Sequence, residues 1–271
     1  MRIASWNINS LRKRQDRLFA WLEATNPDIV CLQETKCPDE QFPALALQAA
    51  GYHSAYHGEK SYNGVAILAK IQLREVRPSL CDDVVDAQAR VIAATIGHLR
   101  VFSIYAPNGQ AVGSPAYEYK LHWYRRFRDC LAKEKAADVL VCGDFNVAPE
   151  DVDVYDAQLW RGAIMASDGE RAAFRELCRL GLHDTLRIHH REGGLFSWWD
   201  YQMRGFEKNR GLRIDAVLVS ESLARNCIAS GIDREMRDGK DPSDHAPVWA
   251  EFTERVVIPS EDDGPRGTAL S

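Results

Sequence analysis

Polar side chains follow several short apolar segments of the sequence, at the positions where strands are expected to end. They comprise amides, carboxylates, a phenol and an imidazole, namely Asn7, Asn9, Glu34, Tyr105, Asn108, Asp144, Asn146, Asp215, Asp244 and His245. Loops at one edge of a sheet converge, so residues that are distant in sequence can line one cleft. The pattern predicts a single polar site, although asparagine and aspartate also commonly cap helices or form turns.

Asp215 differs from the other acidic residues because it lies inside the apolar segment 212–219. A buried carboxylate without a partner would cost on the order of several kcal/mol, so we expect a partner, and a histidine is the natural one. His245, within the segment SDHAP, is the expected partner. The structural alternative is a histidine satisfied within the core, but an Asp–His pair beside other carboxylates is typical of catalytic sites.

These residue types suit the hydrolysis of a phosphoester with the help of a hard divalent cation. Oxygen ligands such as Glu34 and Asn7, together with water, favour Mg²⁺, with Mn²⁺ as a substitute, over zinc. Either Asp144 or the Asp215–His245 pair could take the proton from the attacking water, and the sequence leaves both open. Acyl transfer, P-loop nucleotide hydrolysis and dinucleotide redox chemistry lack support, because their motifs do not occur.

A second feature is the segment 196–213, which interleaves aromatic and basic residues. Between 201 and 213, four basic residues and one acidic residue give 4 − 1 = +3. Trp198 and Trp199 would point to opposite sides of an extended chain, so one can pack while the other faces a ligand. Arg210 and its basic neighbours could bind phosphates while aromatic rings stack on bases. The alternative is a buried tryptophan pair with solvated charges outside it.

Composition limits the class of protein that can present these residues. The chain has 271 residues, 45% hydrophobic and 27% charged, which suits a globular domain without disulfide staples. Its net charge of −5 does not exclude a nucleic-acid partner, because the distribution of charge matters more than the sum. No apolar run could span a bilayer, no signal-peptide core follows the first segment, and the seven scattered cysteines indicate reduced thiols. We therefore expect a cytoplasmic protein without a membrane segment.

The elements that must position the polar residues alternate between strand-like and helical patterns. Strands are predicted at 3–8, 28–32, 65–69, 91–96, 99–105, 139–142, 212–219 and 247–252, and helices at 11–25, 115–135 and 168–180. Hairpin-like strand pairs mixed with strand–helix–strand units predict a layered α/β sandwich with mixed sheets. We expect one domain over residues 1–255 and a mobile tail over 256–271.

Six motifs occur in a fixed order along the chain: SWNINSLR (5–12), LQETK (32–36), YAPNG (105–109), GDFNV (143–147), NRGLRID (209–215) and PSDHAPV (242–248). Together they resemble the exonuclease III family of DNA repair nucleases, within the endonuclease/exonuclease/phosphatase superfamily. The resemblance implies a four-layered α/β sandwich with two mixed β-sheets flanked by helices. It also implies a monomeric, Mg²⁺-dependent phosphodiesterase that acts on double-stranded DNA at abasic sites or 3′ ends.

The resemblance further implies a role for each matching residue. Asn7, Glu34 and Asp244 would serve the metal; Tyr105, Asn146 and His245 would contact the scissile phosphate; Asp144 would ready the water and Asp215 would orient His245. The DNA-binding set would be Asn9, Arg90, Asn108, Lys120, Trp198, Trp199, Arg210, Leu212 and Ile214. Within this set, Trp198, Leu212 and Ile214 would form a pocket for a sugar that lacks its base.

Two other functions compete with this hypothesis. The first is a phosphatase or phosphodiesterase of the same superfamily that acts on a non-DNA substrate, and the second is a binding module with an inactive site. The Trp-Trp pair and the segment NRGLR favour DNA over other phosphoesters. The presence of every carboxylate, of both motif asparagines and of His245 argues against an inactive module.

Overall fold

The computed structural model describes residues 1–82, 84 and 86–253. The predicted domain boundary at 255 and the predicted tail at 256–271 lie outside the described residues. Within the described part of the chain, none of the helices combines the length and apolar character that a membrane crossing requires.

Fourteen strands and seven α-helices make up the described part of the fold. The strands are β1 (Arg2–Asn7), β2 (Ile29–Gln33), β3 (His53–His57), β4 (Val65–Ala69), β5 (Leu73–Arg77), β6 (Val91–Ile96), β7 (Leu99–Tyr105), β8 (Asp138–Asp144), β9 (Leu182–Asp184), β10 (Trp198–Trp199), β11 (Gly211–Leu212), β12 (Asp215–Ser220), β13 (Cys227–Ile232) and β14 (Val248–Phe252). The helices are α1 (Leu11–Thr25), α2 (Ala44–Ala49), α3 (Pro115–Leu131), α4 (Ala157–Trp160), α5 (Asp168–Cys178), α6 (Thr185–His189) and α7 (Glu221–Arg225).

Twelve of the strands form two six-stranded sheets that pack face to face. The first sheet has the order β13-β14-β1-β2-β4-β3, and the second has the order β5-β6-β7-β8-β12-β9. Each sheet contains one parallel pair, β1 with β2 and β7 with β8, and its other neighbours are antiparallel. Both sheets are therefore mixed, as the sequence predicts.

Alternation along the central strands sends side chains to three separate layers of core. Ile3 of β1 and Val101 of β7 point between the sheets. Ala4, the residue after Ile3, faces the layer of α1. Phe102, the residue after Val101, faces the layer of α3 and α5. Since both faces of these strands are covered, their sequences read as nearly continuous apolar runs. The order of layers is helix, sheet, sheet, helix, which confirms the predicted four-layered sandwich.

Within the two six-stranded sheets, the four strands that the sequence analysis did not predict, β3, β5, β9 and β13, are the edge strands. Three residues of β5 are exposed, and β3 has one fully buried residue. Edge strands of this kind lack the apolar pattern of a central strand. Hydrophobic periodicity therefore identifies the centre of each sheet and misses its borders.

The segment 212–219, predicted as one strand, is interrupted after Leu212. The backbone N–H of Arg213 donates to Asp153 O at 2.8 Å, and those of Ile214 and Asp215 donate to Ser197 Oγ at 3.1 Å. These bonds take the chain out of one sheet ladder before it enters β12. The interruption places Asp215 at the first position of β12, next to Asp144 at the end of β8.

The expectation that all cysteines are reduced is wrong for one pair. Cys81, which follows β5, and Cys130, in the last turn of α3, form a disulfide with their Cα atoms 4.8 Å apart. The other five cysteines are free thiols. Sequence spacing could not reveal the pair because 49 residues separate the two positions.

Candidate active site

The ends of strands from both sheets meet at one edge of the sandwich. In the first sheet, Asn7 at the end of β1 lies opposite Gln33 at the end of β2. In the second sheet, Tyr105 at the end of β7 lies opposite Asp144, which in turn lies opposite Asp215. This topology brings most of the predicted polar residues into one site.

Asn7 connects the two sheets at the centre of the site. Its Nδ2 atom donates to Glu34 Oε1 and to Asp144 Oδ2, both at 2.9 Å. Its Oδ1 atom accepts the backbone N–H of Asn9 at 3.1 Å. The amide therefore separates two carboxylates that would otherwise repel each other, and it holds them at a fixed spacing.

His245 and Asp215 form the pair that the sequence predicts. The Nδ1 atom of His245 lies 2.8 Å from Asp215 Oδ2, and its Nε2 atom lies 3.7 Å from Asp144 Oδ2. All three residues are at most 3% exposed. Asp215 Oδ1 has no hydrogen-bond partner among the described residues. The imidazole is thus placed between two buried carboxylates.

The protonation of this cluster follows from its charges. Burial lowers the pKa of His245, but the carboxylates of Asp215 and Asp144 outweigh that effect and raise the pKa well above its usual value. Burial raises the pKa of Asp144, and Asp215 and Glu34 act in the same direction, although His245 opposes them. A protonated imidazole therefore faces a carboxylate that is more basic than an exposed one.

Glu34 and Asp244 lie on the side of the site formed by the first sheet. Glu34 Oε2 pairs with Lys36 Nζ at 2.8 Å. Asp244 Oδ1 accepts from Asn9 Nδ2 at 2.8 Å, and its Oδ2 accepts from Trp198 Nε1 at 3.0 Å. Burial raises the pKa of Asp244, but His245 and these two hydrogen bonds lower it by more than burial raises it. The net pKa of Asp244 is therefore below its usual value. Both oxygens of Asp244 are thus engaged by neighbouring side chains.

The donor set of the site fits a hard divalent cation. Ligand atoms of Glu34, Asp144 and His245 all lie within 4.8 Å of one another, and Asn7 bridges the two carboxylates. Two carboxylates beside an amide are ligands that Mg²⁺ and Mn²⁺ prefer. Because His245 is held protonated and Asp144 is engaged with it, Glu34 and Asn7 are the residues that would hold the cation. The predicted metal role of Asp244 stays a prediction.

Tyr105 and Arg90 form one wall next to Glu34. Burial, Glu34 and Asp144 raise the pKa of Tyr105 well above its usual value, so its hydroxyl stays protonated and can donate. The guanidinium of Arg90 lies 4.9 Å from the centre of the Tyr105 ring and donates to Tyr105 O at 3.2 Å. Arg90 therefore supports the tyrosine while remaining half-buried at the rim.

Asn108 and Asn146 form a second wall. Asn108 Nδ2 donates to Asn146 Oδ1 at 3.1 Å, and Asn146 Nδ2 donates to Ala106 O at 2.9 Å. The backbone N–H of Asn146 donates to Asp144 Oδ1 at 2.8 Å. The two asparagines thus link the loops that follow β7 and β8 and place them beside Asp144.

Two predicted DNA-contacting residues, Lys120 and Trp199, have no exposed surface. Lys120 pairs with Glu170 inside the second helical layer. Trp199 packs edge-on against Phe206, its ring centre 5.3 Å away, in a small cluster with Phe196. Neither side chain presents surface to a ligand in this conformation, and the predicted DNA contact of both residues stays a prediction.

The three residues predicted to form a sugar pocket lie in one cluster, and two of them are buried. Trp198, Leu212 and Ile214 belong to one apolar cluster together with Met165. Leu212 is fully buried and Ile214 is 2% exposed, whereas Trp198 is partly exposed. Of the three predicted pocket residues, Trp198 is therefore the one that presents its surface to a ligand. Arg210, two residues before Leu212 in the sequence, is exposed.

Several residues that support the site were not predicted as functional. Ser243 Oγ donates to Asn7 O at 2.7 Å and accepts the backbone N–H of His245 at 3.2 Å. Trp6 Nε1 donates to His245 O at 3.2 Å, and Lys36 Nζ donates to Asn9 Oδ1 at 2.6 Å. Ser243, Trp6 and Lys36 all lie inside the six motifs of the sequence analysis. Their place in these motifs is the sequence feature that could have identified them as site residues.

The chain is similar to known proteins over most of its length. Residues 4–245 match the family model described as the Endonuclease/Exonuclease/phosphatase family. The chain is 39% identical to exodeoxyribonuclease III of Haemophilus influenzae, over 93% of this chain and 100% of that protein. It is 32% identical to an exodeoxyribonuclease of Bacillus subtilis, over 92% and 98% of the two chains.

Solved structures show the same similarity. One is the 3′ phosphatase NExo from Neisseria bound to a product DNA hairpin, with a TM-score of 0.91 and 41% identity over 93% of this chain and 99% of that one. Another is an AP endonuclease from Archaeoglobus fulgidus, with a TM-score of 0.91 and 33% identity over 94% of this chain and 100% of that one. The chain therefore belongs to the endonuclease/exonuclease/phosphatase family and, within it, to the exodeoxyribonuclease III group of DNA repair nucleases.

Proposed function

We propose that this protein hydrolyses phosphoesters of double-stranded DNA, removing nucleotides or phosphate from 3′ ends and cleaving 5′ to abasic sites, with Mg²⁺ as its cation. The observation that carries the proposal is the position of Asp144, whose Oδ2 lies 2.9 Å from Asn7 Nδ2 and 3.7 Å from His245 Nε2. A basic carboxylate, an amide and a protonated imidazole thereby face one small volume.

Asp144 is the proposed acceptor of the proton from the attacking water. Its Oδ1 is fixed by the Asn146 N–H, which leaves Oδ2 directed toward Asn7 and His245. The raised pKa of Asp144 makes its carboxylate a better base near neutral pH than an exposed aspartate. His245 cannot take this role while it is protonated, so the geometry favours Asp144 over the Asp215–His245 pair.

His245 is proposed to stabilise charge on the phosphate oxygens. The carboxylate of Asp215 holds the ring through Nδ1 and leaves Nε2 free to face the substrate beside Asp144. Tyr105 at the end of β7, kept protonated, and Asn146 in the turn after β8 supply further donors. Donors placed before the reaction stabilise the transition state without reorganisation.

The residues Glu34 and Asn7 would hold the divalent cation, with Asp244 beside them. When bound, the ion would supply positive charge to the phosphate and lower the pKa of a coordinated water. The proposed preference for Mg²⁺, with Mn²⁺ able to substitute, rests on the oxygen-rich donor set. We also propose that the enzyme acts as a monomer in the cytoplasm, where its DNA substrate would be found.

The names of the relatives and the rim of the site support DNA as the substrate. The similar solved structures include one that holds product DNA and one described as an AP endonuclease. Trp198, which donates to Asp244, presents a partly exposed aromatic surface next to the site, and Arg210 is an exposed cation two residues before Leu212. Cleavage at abasic sites and trimming of 3′ ends would use the same Asp144 and differ in how the sugar is seated.

Product analysis on defined duplexes tests the proposal. Four substrates are compared with and without EDTA: a 5′-labelled duplex with one abasic position, a duplex with a 3′-phosphate, an intact duplex and inositol phosphates. We expect Mg²⁺-dependent products that end in a 3′-hydroxyl from at least one DNA substrate and no turnover of inositol phosphates. Turnover of inositol phosphates alone would instead identify a non-DNA phosphatase, and no turnover of any substrate would indicate a binding module.

A further inference from the structure

Lys120 is a buried lysine to which the proposed reaction gives no direct part. It lies on the apolar face of α3, which also contains the buried residues Tyr117, Trp123 and Tyr124. Neither the side chain of Lys120 nor that of Glu170 on α5 has exposed surface. A lysine is rarely fully buried unless it is paired, because its charge must be compensated there and its donors satisfied. A lysine buried in this place therefore needs partners for its charge and for each of its N–H donors.

All three N–H donors of the Lys120 ammonium have partners. Nζ donates to Asn108 O at 3.0 Å, to Asn146 O at 2.7 Å and to a carboxylate oxygen of Glu170. Asn108 belongs to the loop after β7, and Asn146 belongs to the turn after β8. One buried charge therefore joins the two loops whose side chains form a wall of the active site.

The turn after β8 depends on support from outside its own chain segment. Asn146 has a φ of 51°, in the left-handed region that most L-residues avoid. Tyr124 lies one helical turn after Lys120, and its hydroxyl donates to Phe145 O. Helix α3 thus supplies donors from Lys120 and Tyr124 to two consecutive carbonyls of the turn that begins at Asp144.

Glu170 fixes the position of the ammonium group. Its Oε1 accepts Met165 N at 3.0 Å, and its Oε2 accepts Ser167 N at 3.1 Å and Ser167 Oγ at 2.6 Å. The carboxylate is therefore held by the first turn of α5 through the capping box with Ser167. Since the carboxylate is fixed independently, it determines where Nζ can lie.

We propose that Lys120 and Glu170 form a buried positioning pair that sets the spacing between the loops of Asn108 and Asn146 and thereby orients Asp144. The path is short, because the N–H of Asn146 donates directly to Asp144 Oδ1. Neither residue of the pair touches the substrate. The effect on turnover rests on the proposed function, whereas the effect on the turn itself does not.

The experiment compares Lys120→Met with the double variant Lys120→Met/Glu170→Gln. Lys120→Met leaves a buried carboxylate uncompensated and should unfold more easily, whereas the double variant removes both charges and should recover much of that stability. Turnover of the 3′-phosphate duplex should nevertheless fall by about 10- to 100-fold in kcat for both variants, since small misplacements of reacting groups have such effects. KM should change by less than about threefold, because no substrate contact is lost.

Arg126→Met is the matched control on the same helix. The guanidinium of Arg126 pairs with Asp82 and Asp86 and has no bond to either active-site loop. Its loss should lower stability and leave kcat unchanged. If kcat in the three variants simply follows their stability, Lys120 and Glu170 have a structural role alone and the inference is wrong.

Hydrogen exchange separates this inference from the proposed function. The amide of Asn146 should exchange at least about tenfold faster in the double variant than in wild type, and at the wild-type rate in Arg126→Met. Unchanged exchange in the double variant would overturn the inference, whatever the activity. Absence of wild-type turnover on every substrate would instead contradict the proposed function and leave the exchange result to decide the positioning role.

Discussion

Asp215 and His245 join the two sheets through one buried hydrogen bond of 2.8 Å between Oδ2 and Nδ1. Asp215 begins β12 of the second sheet, and His245 lies in the loop that leads into β14 of the first sheet. The hydrogen bond that keeps His245 protonated thus also connects the two sheets. Protonation of His245 therefore depends on correct packing of one sheet against the other.

The first prediction concerns His245. In the metal-free protein the Asp215 and Asp144 carboxylates raise the pKa of His245 despite its burial. The folded state therefore binds the imidazole proton more tightly than the unfolded state does. This contribution to stability is complete below about pH 6.5, the unfolded value, and is lost as the pH rises through the folded pKa.

NMR titration of the metal-free protein checks this prediction. The His245 ring should remain protonated through pH 8 in wild type and should lose its proton at lower pH in Asp215→Asn. A His245 ring that titrates identically in both proteins would contradict the assignment of Asp215 as its partner.

The second prediction concerns Asp144. Asp144→Asn keeps an oxygen for the Asn146 N–H but removes the base, so kcat should fall by about 100- to 10 000-fold. DNA affinity, measured by fluorescence anisotropy, should stay within about threefold of wild type, because Asp144 is buried and adds no surface contact. Wild-type turnover in this variant would exclude Asp144 as the proton acceptor.

The third prediction concerns acid stability. Burial raises the pKa of Asp153, but Arg213 and Arg187 more than offset it and hold the pKa below its usual value. Asp153 therefore contributes stability above about pH 3.9, its unfolded value, and that contribution is lost as the pH falls toward the folded pKa. Asp153→Asn should lose about 3–5 kcal/mol near neutral pH because it breaks a buried ion pair.

Urea denaturation between pH 7 and pH 3 measures this effect. The stability of Asp153→Asn should fall less steeply with acid than that of wild type. Asp151→Asn is the control, since Asp151 also pairs with an arginine but is exposed. A parallel acid dependence for wild type and Asp153→Asn would show that Asp153 is not the titrating group.

The fourth prediction concerns the Cys81–Cys130 disulfide. A link that spans 49 residues should stabilise the chain by about 4 kcal/mol through the entropy of the unfolded state. Dithiothreitol should therefore lower the urea midpoint of wild type, and it should have no such effect on Cys81→Ser/Cys130→Ser. Cys178→Ser, which removes a free thiol, should respond to the reductant as wild type does.

The central strands and the main helices could be predicted because their apolar residues follow a regular spacing and the helices begin and end at typical capping residues. Strand β4 is a continuous apolar run and the buried strands β1 and β7 are mostly apolar, and α3 begins at the expected proline behind a serine whose Oγ accepts the Tyr117 N–H. The edge strands lack such a pattern because each pairs with one neighbour alone and most of its residues are exposed or only half-buried. The break after Leu212 also escaped prediction, since it depends on Asp153 and Ser197, which are distant in sequence.

The site divides in the same way. The types of its residues, their order in six motifs and the pairing of Asp215 with His245 were readable from the chain, because buried charge must find a partner whatever the fold. Whether a side chain faces a ligand depends on what packs over it, which local sequence does not specify. Trp198 and Trp199 are adjacent and chemically identical, yet the side chain of Trp198 is partly exposed and that of Trp199 is buried.

By itself, the sequence determined the family, the layered α/β architecture and the chemistry of the cluster around Asp144, since motif order and apolar periodicity are properties of the chain. The tertiary structure alone decided which cations are free to meet DNA: Arg210 is exposed, whereas Lys120 is enclosed by Glu170 and two loop carbonyls. The physical reason is that burial and hydrogen-bond partners arise from contacts between segments that are remote along the chain.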